Sequence, residues 1–292
     1  MNGKIEEAKE FRASHEEADD RMMYSIDQIY KAKKTPVPGS ARYCITVVST
    51  DADIFVGLLY HLKNTWNGLE LYFMKKGHIK AAKTDQKELY PLHLLASKLN
   101  PCVVDNLPAG HSLTGCDTVA KVGTKLSLLK ILESHSNLIS DFGFDRLDED
   151  VLLQAEQFLV KVVASKAYMS CQSFDGLRLK LYHHARQKKL TALSCSSNEI
   201  QLNIKRAYLQ ARMWLESPFG NISEVIDAEE FGYNSLLAPI WHTPPYRPLD
   251  IPDPCSSCKS CVRVTCPCRQ NDSACSQYCK CGESCKNPLN TA

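Results

Sequence analysis

Apolar positions along the chain alternate between two spacings. Residues 15–34 carry Met22, Met23, Ile26, Ile29 and Tyr30 at helical intervals, which predicts an amphipathic helix that ends at TPVPGS. RYCITVVST follows as a β-branched, mostly apolar run of strand length, and it predicts a buried strand that exits at Asp51-Ala52-Asp53. LELYFM predicts a second strand, and ELYPLHLLASKL an amphipathic helix. Further helices are predicted over 119–136, 149–166 and 199–216. Strands alternating with helices imply an α/β sandwich with a largely parallel sheet, whose chemistry should collect at the carboxyl ends of the strands.

The cysteines break this pattern. Five of the fourteen are scattered, and the other nine lie between Cys255 and Cys285. Just before them PIWHTPPYRPLDIPDP holds six prolines in sixteen residues, too many for helix or sheet, and it predicts an extended connector. The expected division is an α/β domain over 1–145, a helical extension over 146–216, a proline-rich connector over 217–254 and a cysteine module over 255–288.

The N-terminus is charged from its fourth residue, and no apolar run approaches the ~18 residues of a membrane span. A soluble intracellular protein with no membrane partner is the expectation. In that reducing compartment, clustered thiols read as metal ligands rather than disulfides. Cys255, Cys258, Cys261, Cys266, Cys268, Cys275, Cys279, Cys281 and Cys285 are the ligand candidates, in C-x-x-C and C-x-C pairs that let sulfurs converge on one ion. Three tetrahedral zincs need about twelve ligand positions, which nine thiolates supply if three of them bridge. With few large apolar side chains in the segment, metal binding should drive its folding.

This tail resembles the tesmin-type CXC domain in its Cys266-Pro-Cys268-Arg269, Cys275, Cys279-Lys-Cys281 and Cys285-Lys-Asn287. The resemblance implies a three-zinc, nine-cysteine cluster and, as in several members, DNA contact. Relatives that insert a tyrosine into the minor groove carry it just before the C-x-C, where this chain has Thr265; Tyr278 precedes a different C-x-C. From residue 251 onward there are five Lys/Arg and three Asp/Glu. A module loaded with three zincs would therefore sit near one net negative charge, and DNA contact would rest on local placement of Arg263, Arg269, Lys280 and Lys286. Over the whole chain the formal charge is only +2, so no global field argues for nucleic acid.

Acidic groups stand at the ends of the upstream elements. Glu17 and Asp19 open the first helix, Asp51 and Asp53 leave the first strand, and Asp117 follows a glycine turn. Gathered carboxylates repel unless a cation joins them, and an oxygen-rich cluster suits Mg²⁺ or Mn²⁺. Two such ions can clamp a phosphodiester for in-line attack by water.

In order, Glu17-Ala18-Asp19, Asp51-Ala52-Asp53 and Leu113-Thr114-Gly115-Cys116-Asp117 resemble the internal region of flap-endonuclease (XPG-type) PIN-like nucleases. Lys121-Val122-Gly123-Thr124-Lys125 partly matches the DNA-clasping turn that follows in that family. The likeness implies a partial PIN-like fold, three-layered with a mostly parallel sheet, with the five acids as catalytic metal ligands and Lys121 and Lys125 as DNA contacts. The chain also looks like a group of mobile-element-associated proteins that join such a half to an "IKRAxxQAxxW" helix, here Ile204 to Trp214, and a CXC module.

The family pattern begins with an earlier aspartate-bearing strand and a basic gateway, for which the fourteen residues before HEEAD leave no room. The expectation is thus a Mg-dependent phosphodiesterase only with that strand restored, and an inactive, nucleic-acid-associated protein as it stands. The alternatives are a non-catalytic DNA- or chromatin-binding zinc protein and a protein-interaction scaffold with structural zinc. A nuclear location is expected from the DNA connection alone.

Overall fold

The computed structural model describes residues 17–33, 43–77, 86–144, 146–184, 195–220, 227–234, 238–240, 255–256, 258–262, 265–275, 279–281 and 285–290. The chain divides into two compact units. One comprises Met1–Ser173 and Ile200–Ile240, the other Phe174–Glu199 and Trp241–Ala292. In chain order the elements are α1 (Ala18–Lys33), β1 (Cys44–Val48), α2 (Ala52–Asn64), β2 (Glu70–Gly77), β3 (Gln86–Pro91), α3 (Leu92–Lys98), α4 (Pro101–Leu113), α5 (Lys125–His135), α6 (Glu149–Val163), α7 (Phe174–His184), α8 (Ser197–Glu216) and α9 (Pro267–Gln270). None of the described helices is long and apolar enough to cross a membrane.

The first unit is α/β, with helices dominating a small mixed sheet of order β1-β2-β3. β1 pairs with β2 in parallel, Cys44 opposite Glu70, and β2 pairs with β3 antiparallel, Phe73 opposite Tyr90. The largely parallel sheet expected from the sequence is therefore corrected. Only eight residues separate Gly77 from Gln86, and a parallel return needs a crossover of about a dozen residues or more. β1 is also not the buried strand expected: Val47 is 5% exposed, but Val48 is 48% exposed. It lies at the sheet edge, and among the described residues no strand pairs with its outer side.

The helix expected over ELYPLHLLASKL is half strand. Pro91 disfavours the helical region for Tyr90, so the chain stays extended through β3 and turns helical at Leu92. The helix expected from residue 119 starts at Lys125, because Gly123 turns through the left-handed region (φ 74°) and Thr124 then caps α5, its Oγ accepting from Ser127 N at 3.1 Å.

α2 and α4 form the interior. Asp51 caps α2, whose Val56, Leu58, Leu59 and Leu62 are buried. Asn100 caps α4 and Pro101 sits in its first turn, where the missing N–H costs nothing. α4 is buried along its whole last half, from Asn106 to Leu113. Gly110 lets α5 approach: a methyl there would lie 2.7 Å from Leu128 Cδ1. Trp66 is fully buried and donates its Nε1–H to Asp27 Oδ1 at 3.1 Å, while Lys31 pairs with the other oxygen at 2.6 Å.

The units cut across the expected domain boundaries at 145 and 216. α6 and most of α8 belong with the sheet, and so do residues 227–240. That last segment is tied to α8 by Arg206, whose Nη1 donates to Gly232 O at 3.1 Å and Ile240 O at 3.2 Å, and by Phe231 stacked on Tyr208. Arg206 and Tyr208 thus hold the described part of this segment against α8. Residues 241–254, the proline-rich remainder, lie outside the described residues.

Trp66→Phe keeps the ring but leaves Asp27 without its buried donor. The expected loss is about 1–3 kcal/mol, read as a lower urea midpoint at pH 7 with an unchanged slope.

Candidate metal centres

Acidic groups from three elements of the first unit act on one carboxyl, that of Asp19. Glu17 and Asp19 stand at the start of α1, Asp51 and Asp53 at the start of α2, and Asp117 on the turn after α4. Asp51 is fixed from both sides, its N–H donating to Ser49 Oγ at 3.0 Å and its Oδ1 accepting from Asp53 N at 2.8 Å. Burial, together with the negative charges of Asp51, Asp53, Glu17 and Asp117, pushes the Asp19 carboxyl up to about 6. All five acids singled out in the sequence thus lie near enough to act on one group.

The turn bearing Asp117 is tightly built. Gly115 is left-handed (φ 108°), and a Cβ there would strike the Lys121 backbone at 2.6 Å. Cys116 and Val119 exchange backbone hydrogen bonds, and Val122 N closes onto Thr114 O at 3.1 Å. Lys125, expected to face DNA, instead donates to His111 O (2.9 Å), Thr114 Oγ1 (3.0 Å) and Gly115 O (2.7 Å). An ammonium has three donors, and all are engaged at the carboxyl end of α4. Burial lowers this group to about 8, against the pull of Asp53. Lys121 is exposed.

Groups not anticipated from the sequence complete the surroundings. His111, 6% exposed, places Nε2 2.7 Å from Asp53 Oδ1 and packs its ring against Trp214, with centroids 5.7 Å apart. Asn203 of α8 receives Ala120 N on its Oδ1 (3.1 Å) and donates Nδ2–H to Ala120 O (3.2 Å). Gln210 Oε1 accepts from Thr118 Oγ1 at 2.6 Å. The face of α8 that reads as ordinary packing therefore holds the Asp117 turn at two points and backs His111 at a third. Asp20 is only 3% exposed, and its Oδ1 has no hydrogen-bond partner among the described residues. Burial first, then Asp19 and Glu17, push it up to about 7. The acidic run before α1 was its only signal.

The side chains gathered here offer oxygen donors, and burial, then mutual repulsion, raises Asp19 among them; the groups of ligand atoms found within 4.8 Å of one another among the described residues are all cysteines. Asp51 and Asp53 have each committed one oxygen to hydrogen bonds.

The cysteine tail gathers its sulfurs into one core. Cys255, Cys261, Cys266, Cys268, Cys275, Cys279 and Cys281 are buried, with Cys258 and Cys285 packed against them. Sulfurs of Cys255 and Cys261, and of Cys268 and Cys279, lie 3.5 Å apart, and those of Cys275 and Cys261 3.6 Å. A disulfide is about 2.05 Å long, whereas a tetrahedron of 2.3 Å Zn–S bonds has an edge of about 3.8 Å. Three quartets have all their sulfurs within 4.8 Å: Cys255-Cys261-Cys275-Cys281, Cys255-Cys266-Cys268-Cys275 and Cys255-Cys258-Cys261-Cys266. Cys255 belongs to all three quartets, and Cys279 and Cys285 to none. The cluster is able to hold a thiophilic metal such as zinc.

Burial pushes the Cys255, Cys261 and Cys268 thiols up, and Cys281 up to about 12. It works upward on Cys266 too, but the amide N–H groups of Arg269 and Cys268 are among the donors that bring that thiol down to about 6. Of the expected DNA contacts, Arg269 donates Nη1–H to Val262 O, Lys280 is exposed, and Arg263 lies outside the described residues, as does Tyr278. Thr265 is exposed.

No family model, no curated protein and no solved structure matches this chain.

The buried Asp20 sets a pH dependence. Its carboxyl is held well above the unfolded value of 3.8, so ionisation costs stability progressively from about pH 4 to 7 and fully above pH 7. Asp20→Asn should therefore raise stability by on the order of 2–4 kcal/mol at pH 8 and by almost nothing at pH 4, as measured by urea unfolding.

Proposed function

We propose that this chain is a nucleic-acid-associated protein derived from divalent-metal-dependent, structure-specific nucleases. In this reading Glu17, Asp19, Asp51, Asp53 and Asp117 hold one Mg²⁺ or Mn²⁺, and the tail holds about three structural zincs. The observation that carries it is the meeting of five acids from three separate elements, where burial first and then the other four acids raise the Asp19 carboxyl. A bound cation would supply positive charge opposite a phosphate.

Five carboxylates repel a phosphodiester, and the Lys125 ammonium, which acts on Asp53, spends its donors on His111 O, Thr114 Oγ1 and Gly115 O. Nucleic acid therefore approaches this unit only when the acids are neutralised, and association depends on the cation. With one oxygen each of Asp51 and Asp53 already committed, the set suits a single ion better than the pair that clamps both sides of an in-line displacement. Binding without hydrolysis follows.

Fluorescence anisotropy with a labelled hairpin or flap duplex at low salt tests this. Affinity should rise about tenfold or more with Mg²⁺ or Mn²⁺ over EDTA, fall steeply with added salt, and lose its cation dependence in Asp117→Ala. Equal binding with and without cation, or none at all, sinks the reading. Cleavage abolished by Asp51→Ala would replace the non-catalytic version with an active nuclease.

Native mass spectrometry of the whole chain should find about three zincs, and fewer than two would rule out the bridged cluster. Affinity should fall as pH falls, because the raised thiols must lose their protons to bind.

A further inference from the structure

The residues after the last cysteine fold back around one sulfur. Asn287 is fully buried. One face of its side-chain amide donates Nδ2–H to Cys275 Sγ at 3.4 Å and to Ser273 O at 2.9 Å, and its Oδ1 accepts from Leu289 N at 3.3 Å. Its own backbone N–H points to Cys285 Sγ at 3.4 Å. Every polar atom of the side chain is used, which fixes the amide's orientation: a flip would set oxygen against both sulfur and carbonyl.

Three residues on, after a short turn over Pro288–Asn290, Asn290 grips the same cysteine by its backbone. Its Oδ1 accepts from Cys275 N at 2.7 Å, and its Nδ2 donates to Cys275 O at 2.8 Å. One asparagine thus addresses the sulfur of Cys275 and the other its peptide groups. Cys275 belongs to two of the three sulfur quartets.

We propose that Asn287 is a positioning residue of the cysteine centre that tunes the sulfur of Cys275 through an N–H···S bond, while Asn290 only places the backbone. The inference rests on the tail holding metal. Nine thiolates around three divalent ions carry three excess negative charges. Donors aimed at sulfur spread that charge, lower the electron-donating strength of the sulfur they touch and slow its attack by protons or electrophiles. A neutral amide does so without adding an acid that would compete for the metal.

The whole chain, loaded with Co²⁺ or Zn²⁺, separates the two roles. Asn287→Ala should move the sulfur-to-cobalt charge-transfer bands to longer wavelength and speed zinc transfer to a chromophoric chelator about tenfold or more. Asn290→Ala should speed transfer without moving the bands. Unmoved bands in metal-loaded Asn287→Ala overturn the proposal. If that variant fails to retain metal, the wild-type chain loaded with ¹¹³Cd decides: scalar coupling between the cadmium and an Asn287 side-chain amide proton supports the N–H···S bond, and its absence overturns it. A wild-type chain that holds no metal sinks the metal reading of the tail instead, which keeps the two failures distinct.

Discussion

Crowding groups of one charge into a small volume costs free energy in proportion to how far water is excluded, and this chain does so in both of its units. Five carboxylates converge in the first, and nine sulfurs form the core of the tail. In the absence of a cation the protein answers by protonation: Asp19 and Asp20 are shifted toward neutrality, as are most of the buried thiols. The two groups differ in ligand chemistry, since carboxylate oxygens favour hard ions and thiolates favour zinc, and the cysteine cluster is able to hold such a metal.

The fold already moderates part of that cost. Glu17, Asp19 and Asp20 sit at the start of α1, and Asp51 and Asp53 at the start of α2, where unpaired N–H groups and the helix dipole favour negative charge. Lys125 adds a positive charge that acts on Asp53, yet its three hydrogen bonds make it a strut for the carboxyl end of α4. α8 braces the Asp117 turn from the other side, through Asn203 and Gln210. These polar ties run between segments far apart in sequence. The cluster's geometry is therefore a property of the whole first unit, and no single acidic motif contains it.

That dependence explains which features were legible in the sequence. α1, α6 and α8 each bury one face, so their apolar spacing announced them, and β1 and β2 showed as β-branched and aromatic runs. α4 did not, because a helix buried on nearly all sides has no polar face to set a period, and its Pro108 and Gly110 read as breakers. β3 hid inside a helical pattern that Pro91 interrupts. The five acids were legible as short motifs in order. His111, Asp20, Asn203 and Gln210 were not, because a histidine or amide in a helix carries no mark of the distant partner it meets. The nine cysteines stood out by type and spacing, whereas Asn287 entered only as one letter of a motif. Its role depends on a chain reversal that spacing does not encode.

The same accounting of engaged groups bears on what the tail can present to a partner. Arg269 has one guanidinium nitrogen turned to Val262 O, and Asn287 and Asn290 spend their amides on Cys275 and Ser273. Lys280 keeps its ammonium exposed, while its backbone N–H holds Cys255 O at 2.9 Å. A module of near-neutral charge, with much of its hydrogen-bonding capacity turned inward, draws little affinity from long-range attraction to phosphate. Recognition by this surface would have to come from a few local contacts, whose spacing is set by the same cysteine scaffold that organises the metal centre. With a metal bound there, its removal would loosen the scaffold that sets those contacts.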